Sequence, residues 1–267
     1  MSAPRVSVIV PAYHSEARIG ACLVALSRQT FTAYEVIVVN SSDEEPTRAR
    51  VEASHDGARF TQSRARLLPH DARNVGVRQA RAPLLVFTDP DCVATDDWLA
   101  RLVERADAGE RAVAGAVVPD TGAEGALAGA FACKFRAVLP GGPPVRPFGQ
   151  TANLLVERTS FDRVSGFRPG LFSADVALCV DLRRIGIRVA FEPTAVVRHG
   201  DDADLGSFLR EPLAGVRATA ATLRAAGAAG LRLGPGGSAA VLAGQLAWVA
   251  GEAVGYADAI RLPPATV

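Results

Sequence analysis

A chain of 267 residues has room for one large α/β domain, an appendage and a well-buried core, but not for two full domains. Its 49% hydrophobic and 21% charged residues exclude disordered, collagen-like and coiled-coil classes. With 29 Lys+Arg against 28 Asp+Glu, no global field draws it to a polyanion, and nucleic acid is not an expected partner.

From Arg5 to about Val118, short β-branched runs alternate with helical segments, the pattern of parallel βαβ units. The strands read as Val6–Val10, Glu35–Val39, Ala58–Gln62, Leu84–Thr88 and Ala112–Val117. Between them, Glu16–Arg28 places Ile19, Leu23 and Leu26 on one helical stripe. Asp71–Arg81 and Asp96–Ala106 read as further helices, the second with Thr95 as N-cap and acidic residues in its first turn. Pro119–Gly149 is rich in glycine and proline and reads as a long loop around a short apolar helix near Leu127–Val138. A strand at Thr151–Val156, a helix from about Ser173 to Ile185, and strands at Arg188–Phe191 and Ala195–Val197 follow. From Asp204 the composition shifts to alanine, leucine and arginine, giving two expected units: residues 1–202 and a helical extension over 203–267.

Four cysteines, Cys22, Cys92, Cys133 and Cys179, lie far apart without a C-x-x-C, so neither a zinc knuckle nor a disulfide framework is signalled. A cytoplasmic setting is expected, since the amino terminus runs into a strand with no secretory leader pattern. No G-x-x-x-x-G-K-[ST], G-x-S-x-G or H-E-x-x-H occurs, which removes the commonest NTPase, hydrolase and metalloprotease signatures.

Asp89-Pro90-Asp91 lies at the carboxyl end of the apolar strand LLVFT, the edge where open α/β sheets bind ligands. Pro90 fixes its own φ and holds Asp89 extended, so two carboxylates project from a stiff corner. Such oxygen ligands suit Mg²⁺ or Mn²⁺ together with substrate phosphates. The bland alternative is a turn that caps the next helix. His14, His55, His70 and His199 each read, taken alone, as surface histidines.

The ordered series Val8-Ile-Val-Pro11-Ala-Tyr13, Glu35-Val-Ile-Val-Val39-Asn40, Ala72-Arg73-Asn74-x-Gly76, Asp89-Pro-Asp91, Trp98-Leu99, Thr151-Ala-Asn153-Leu154, Gly166-Phe167 and Asp175…Leu182-Arg-Arg-Ile-Gly186 resembles family-2 glycosyltransferases over roughly residues 5–200. The resemblance implies a GT-A type αβα sandwich with a mostly parallel central sheet, joined to the C-terminal helical appendage. It implies an inverting transfer of a sugar from a nucleotide-diphosphate sugar to an acceptor hydroxyl, with Mn²⁺ or Mg²⁺. Pro11, Tyr13, Glu16, Asn40, Arg73 and Asp89 become donor-binding candidates. Asp91 and His199 become metal ligands, and Asp175 the general base. Asn40 stands where the family usually has an aspartate, and Ala174 where it usually has a glutamate. Two other readings stay open: a non-catalytic sugar-nucleotide or partner-binding module, and a nucleotidyltransferase, which lacks its G-x-G-x-R-L loop here. The acceptor, lipid-linked or a small molecule, is not legible. Arg210, Arg217 and Arg224 form a basic stripe ahead of the apolar stretch Ser238–Gly251, compatible either with peripheral contact on the inner face of a membrane or with a homodimer contact.

Overall fold

The structure is a computed structural model that describes residues 3–120, 131, 134–135, 137–141, 143–146, 148–171 and 174–200. The C-terminal extension, with its basic stripe and apolar stretch, lies outside the described residues, as do most of the helix expected near Leu127–Val138 and parts of the loop that follows it. Within that expected helix, Phe131, Lys134 and Phe135 are helical.

The described elements run β1 (Val6–Ala12), α1 (Ile19–Ser27), β2 (Tyr34–Asn40), α2 (Glu44–Ser54), β3 (Arg59–Gln62), α3 (Pro69–Gln79), β4 (Leu84–Thr88), β5 (Cys92–Ala94), α4 (Trp98–Asp107), β6 (Ala112–Pro119), β7 (Val145–Arg146), β8 (Asn153–Glu157), α5 (Arg158–Arg163), α6 (Ala174–Arg184) and β9 (Val189–His199). The sheet order is β3-β2-β1-β4-β8-β6-β9-β5, with β7 paired to β9. β3, β2, β1 and β4 are mutually parallel, and β6 is parallel to β9. β8 enters antiparallel between β4 and β6, and the short β5 and β7 run against β9.

Apolar runs make these strands because both faces of the sheet are covered, which β1 shows by being buried at every position. Alternation along β2 turns Ile37 and Val39 toward Ala72 of α3, while Val36 and Val38 join Leu23 and Leu26 of α1 in the main core. Gly76 lets α3 lie close on the sheet, since a Cβ there would meet Ile9 Cγ2 at 2.6 Å. That close approach brings Arg73, one turn earlier on α3, to the carboxyl edge of the parallel strands.

Two expectations need correction. α4 begins at Trp98 after Asp97, and Thr95 does not cap it; its hydroxyl donates to the Val196 carbonyl at 3.3 Å, with no acidic residue in the helix's first turn. The two runs Arg188–Phe191 and Ala195–Val197 form one strand, β9. Glu192 pairs with Gly115 and Val196 with Ala116, so the residues between bulge out of register. Asn153 of β8 holds this irregularity, donating to the Ala116 and Ala195 carbonyls at 2.9 and 2.8 Å and accepting from Trp98 Nε1 at 2.8 Å.

Candidate active site

Strands β1, β4 and β9 point the same way, and their carboxyl ends border one cavity of about 650 Å³. β1 contributes Pro11 and Ala12; Tyr13 and His14 follow, with His14 in the left-handed region at φ 47°. The Tyr13 ring is 41% exposed and lies under the Arg66 guanidinium, 4.6 Å from the ring centroid. Beyond β4 come Asp89, Pro90 and Asp91; α3 supplies His70 and Arg73, α6 supplies Asp175, and β9 ends in His199.

The Asp89-Pro90-Asp91 corner is a hydrogen-bonded turn, the Cys92 N–H donating to the Asp89 carbonyl at 3.1 Å. β5 follows at once and pairs Cys92 with His199, while the Gly200 N–H donates to the Asp91 carbonyl at 2.7 Å. This pairing brings His199 Nε2 to 3.4 Å from Asp91 Oδ1 and leaves Arg18 Nη1 at 3.4 Å from Asp91 Oδ2. Asp89 instead takes the buried Arg73 guanidinium, which donates to its Oδ1.

One oxygen tests whether a cation fits. Asp91 Oδ1 is buried and accepts no hydrogen bond, an arrangement that is costly unless something positive completes it. Ligand atoms of Asp89, Asp91, Cys92 and His199 lie within 4.8 Å of one another. Burial, with the Asp89 and Asp91 charges adding to it, pushes the Cys92 thiol well up, so it stays protonated and a poor ligand for a hard ion. Two carboxylates and an imidazole remain, a donor set that suits Mn²⁺ or Mg²⁺. Burial likewise pushes Asp91 above the usual carboxylate range, against the pull of His199.

Asp175 opens the N-terminal turn of α6 and lines the same cavity as Asp91. Its Oδ1 accepts from the Val176 N–H at 2.9 Å and lies 4.0 Å from His70 Nε2. Burial pushes its pKa up to about 6, outweighing that hydrogen bond and the Arg73 charge.

Of the sequence candidates, Pro11, Tyr13, Arg73, Asp89, Asp91, Asp175 and His199 line the cavity, whereas Glu16 and Asn40 do not. Asn40 is fully buried, and its amide donates to the Ser42 and Asp43 carbonyls and to Gln62 Oε1. It holds the turn after β2, and its neighbour Ser41 faces the cavity instead. His70, expected as a surface residue, is buried in the cavity wall. Its i, i+3 spacing to Arg73 on α3 was the available signal. Arg18 carried none, because its partner Asp91 lies far along the chain.

A model of glycosyl transferase family 2 matches residues 7–175. The chain belongs to glycosyl transferase family 2. Glycosyltransferase AglE of Haloferax volcanii is 32% identical over 103 residues, 37% of this chain and 34% of that protein. The Escherichia coli UDP-Glc:α-D-GlcNAc-diphosphoundecaprenol β-1,3-glucosyltransferase WfgD is 29% identical over 106 residues, 37% of this chain and 38% of that protein. The matches thus span about a third of these relatives' length. Among solved structures, the mannosyltransferase PcManGT of Pyrobaculum calidifontis, in complex with GDP-Man and Mn²⁺, superposes with a TM-score of 0.62 at 20% identity, covering 98% of this chain and 77% of that one. S. aureus TarS in complex with UDP-GlcNAc gives 0.60 at 16% identity, over 79% and 66%. These likenesses show that the family-2 chain has the GT-A fold.

Proposed function

We propose that this family-2 protein is an inverting, metal-dependent glycosyltransferase that moves a sugar from a nucleoside-diphosphate sugar to an acceptor hydroxyl. The observation that carries the reading is that Asp91 and Asp175 open onto one cavity, with a buried carboxylate oxygen that accepts no hydrogen bond on one side and a carboxyl of raised pKa on the other. The complexes of PcManGT with GDP-Man and Mn²⁺ and of TarS with UDP-GlcNAc support the donor class.

Tyr13 and Pro11 border the donor's nucleoside end, and Arg73 fixes Asp89 so that its free oxygen remains available to the donor. Asp91 and His199, with Asp89 beside them, would hold the divalent ion. Bound there, the ion supplies charge neutralisation for the departing diphosphate. Asp175 takes the proton of the acceptor hydroxyl. With a pKa of about 6 it is mostly ionised at neutral pH yet more basic than an ordinary carboxylate, which favours proton transfer. Attack from the Asp175 side, opposite the leaving diphosphate, inverts the anomeric centre. The cavity walls must also exclude water, which would otherwise hydrolyse the donor.

The test is a panel of sugar nucleotides with and without Mn²⁺. One donor should raise the melting temperature in the presence of Mn²⁺ and be slowly hydrolysed. A panel in which no donor does either contradicts the reading, and donor binding with no turnover under any acceptor supports the non-catalytic alternative. WfgD's named acceptor is a diphosphoundecaprenol-linked sugar, and we extend this to a lipid-linked acceptor met at the cytoplasmic face of a membrane. No helix among the described residues is long and apolar enough to cross a membrane. The full chain should then cosediment with anionic vesicles at low salt and be released at high salt; no cosedimentation removes the lipid-surface placement.

A further inference from the structure

A polar chain crosses the cavity wall between the two carboxylate sites. Arg73 Nη2 donates to Asp89, and Arg73 Nη1 lies 3.3 Å from His70 Nδ1. His70 Nε2 in turn faces Asp175 Oδ1 at 4.0 Å. Arg73 and His70 are both buried, at 2% and 8% exposure. A guanidinium has N–H donors and no acceptor, so Arg73 can only donate, and Nδ1 of His70 is the accepting, unprotonated nitrogen. The ring proton therefore sits on Nε2, the atom turned toward Asp175. Phe167 backs the imidazole with ring centroids 5.0 Å apart, which restricts rotation of the ring.

We propose that His70 is a positioning residue for Asp175: Arg73 fixes its tautomer, and its Nε2–H steers the Asp175 carboxylate toward the acceptor hydroxyl. The inference rests on the reading of Asp175 as the base. Asp175 alone takes the acceptor's proton; the imidazole keeps its own proton throughout and acts on Asp175 only through the N–H dipole it turns toward Oδ1 from 4.0 Å. The same chain ties the base to the donor side, because Arg73 holds Asp89 and His70 together. Charged and titratable groups that face Asp175 come from three elements: His70 and Arg73 on α3, Asp89 after β4, and Cys179 one turn along α6. Burial and the Asp89 charge oppose the ionised carboxylate, whereas the Val176 N–H and the Arg73 charge favour it.

The test uses His70→Gln and His70→Leu in the full chain. Glutamine carries an accepting oxygen and a donating N–H₂ in one amide and can reproduce both contacts, whereas leucine reproduces neither. Leucine should lower kcat roughly tenfold and move the acidic limb of the kcat profile to higher pH, with KM for the sugar nucleotide unchanged. Glutamine should restore most of kcat and the wild-type limb. Equal losses in the two variants, or an unmoved limb in the leucine variant, overturn the proposal. Nitrogen-15 NMR of the wild-type protein reads the tautomer without any turnover. An Nε2–H, Nδ1-accepting ring for His70 supports the proposal, and an Nδ1–H ring overturns it. Asp175→Asn in the same assays separates the two layers: wild-type turnover in that variant removes the base reading itself, whatever the tautomer of His70.

Discussion

Asp175 carries two opposed consequences of its burial. As the proposed base it should give a kcat that rises with pH through about 6, and its replacement by asparagine should cost about 10²- to 10⁴-fold in kcat while donor binding persists. The same burial costs stability. A carboxyl whose folded pKa is raised favours the fold fully below its ordinary pKa of 3.8, and that contribution is lost as pH rises through about 6. Asp175→Asn should therefore melt higher than wild type at pH 8, by up to roughly 3 kcal/mol of stability, with the gap closing toward pH 4. A variant that melts lower than wild type at pH 8 would show that the Asp175 charge is not strained in the fold. Its neighbours differ in how visible they were. Asp89 and Asp91 stood out by type and place and Asp175 through the family resemblance alone, whereas the role proposed for His70 depends on Arg73 and Asp175 converging from two helices, which no single segment of sequence displays. Asn40 sits at a strand end bordering the site, but its amide is consumed by the turn it stabilises.

At the level of elements, the strands with long β-branched runs were legible because burial on both faces demands continuous apolar sequence. Leu84–Thr88 forms the strand at the very residues read from sequence. The helix α2 went unread, because its segment EEPTRARVEAS shows almost no apolar periodicity. β5 is three residues held by a distant partner, β9, and so carries no local signal. β9 spans Pro193-Thr194, which punctuates the sequence but bulges in space. Its irregularity fixes the next prediction. Asn153 satisfies two carbonyls at the bulge and the Trp98 indole, so Asn153→Leu strands three buried polar groups and should cost about 3 kcal/mol or more, read as a lower midpoint in denaturant. Gly115→Ala should also destabilise, since its Cβ would meet the Ala195 carbonyl oxygen at 2.4 Å, by roughly 1–3 kcal/mol. Unchanged midpoints in both variants would mean that the bulge is not what holds β6, β8 and β9 in register.

Across the whole molecule, a parallel set of strands with an inserted antiparallel β8 brings the ends of β1, β4 and β9 to one edge, where they border the cavity. The general class of fold followed from the alternation of strand and helix, whereas the insertion of β8 between β4 and β6 is a topological fact that periodicity cannot express. Long-range pairing also makes the cation site depend on the fold: Asp91 and His199 meet only because β5 and β9 pair. Mn²⁺ at a concentration 100 times its Kd should then stabilise the wild-type protein by about 2.7 kcal/mol, and Asp91→Asn should abolish that gain.

On the proposed reading, one cavity holds the cation, the donor and the base. Crystals soaked with Mn²⁺ and a nucleoside-diphosphate sugar, measured at the manganese absorption edge, test it most directly. An anomalous peak should appear at Asp91 and His199, with the diphosphate beside it and the sugar's anomeric carbon turned toward Asp175. Manganese bound elsewhere, or a sugar placed away from Asp175, would contradict it.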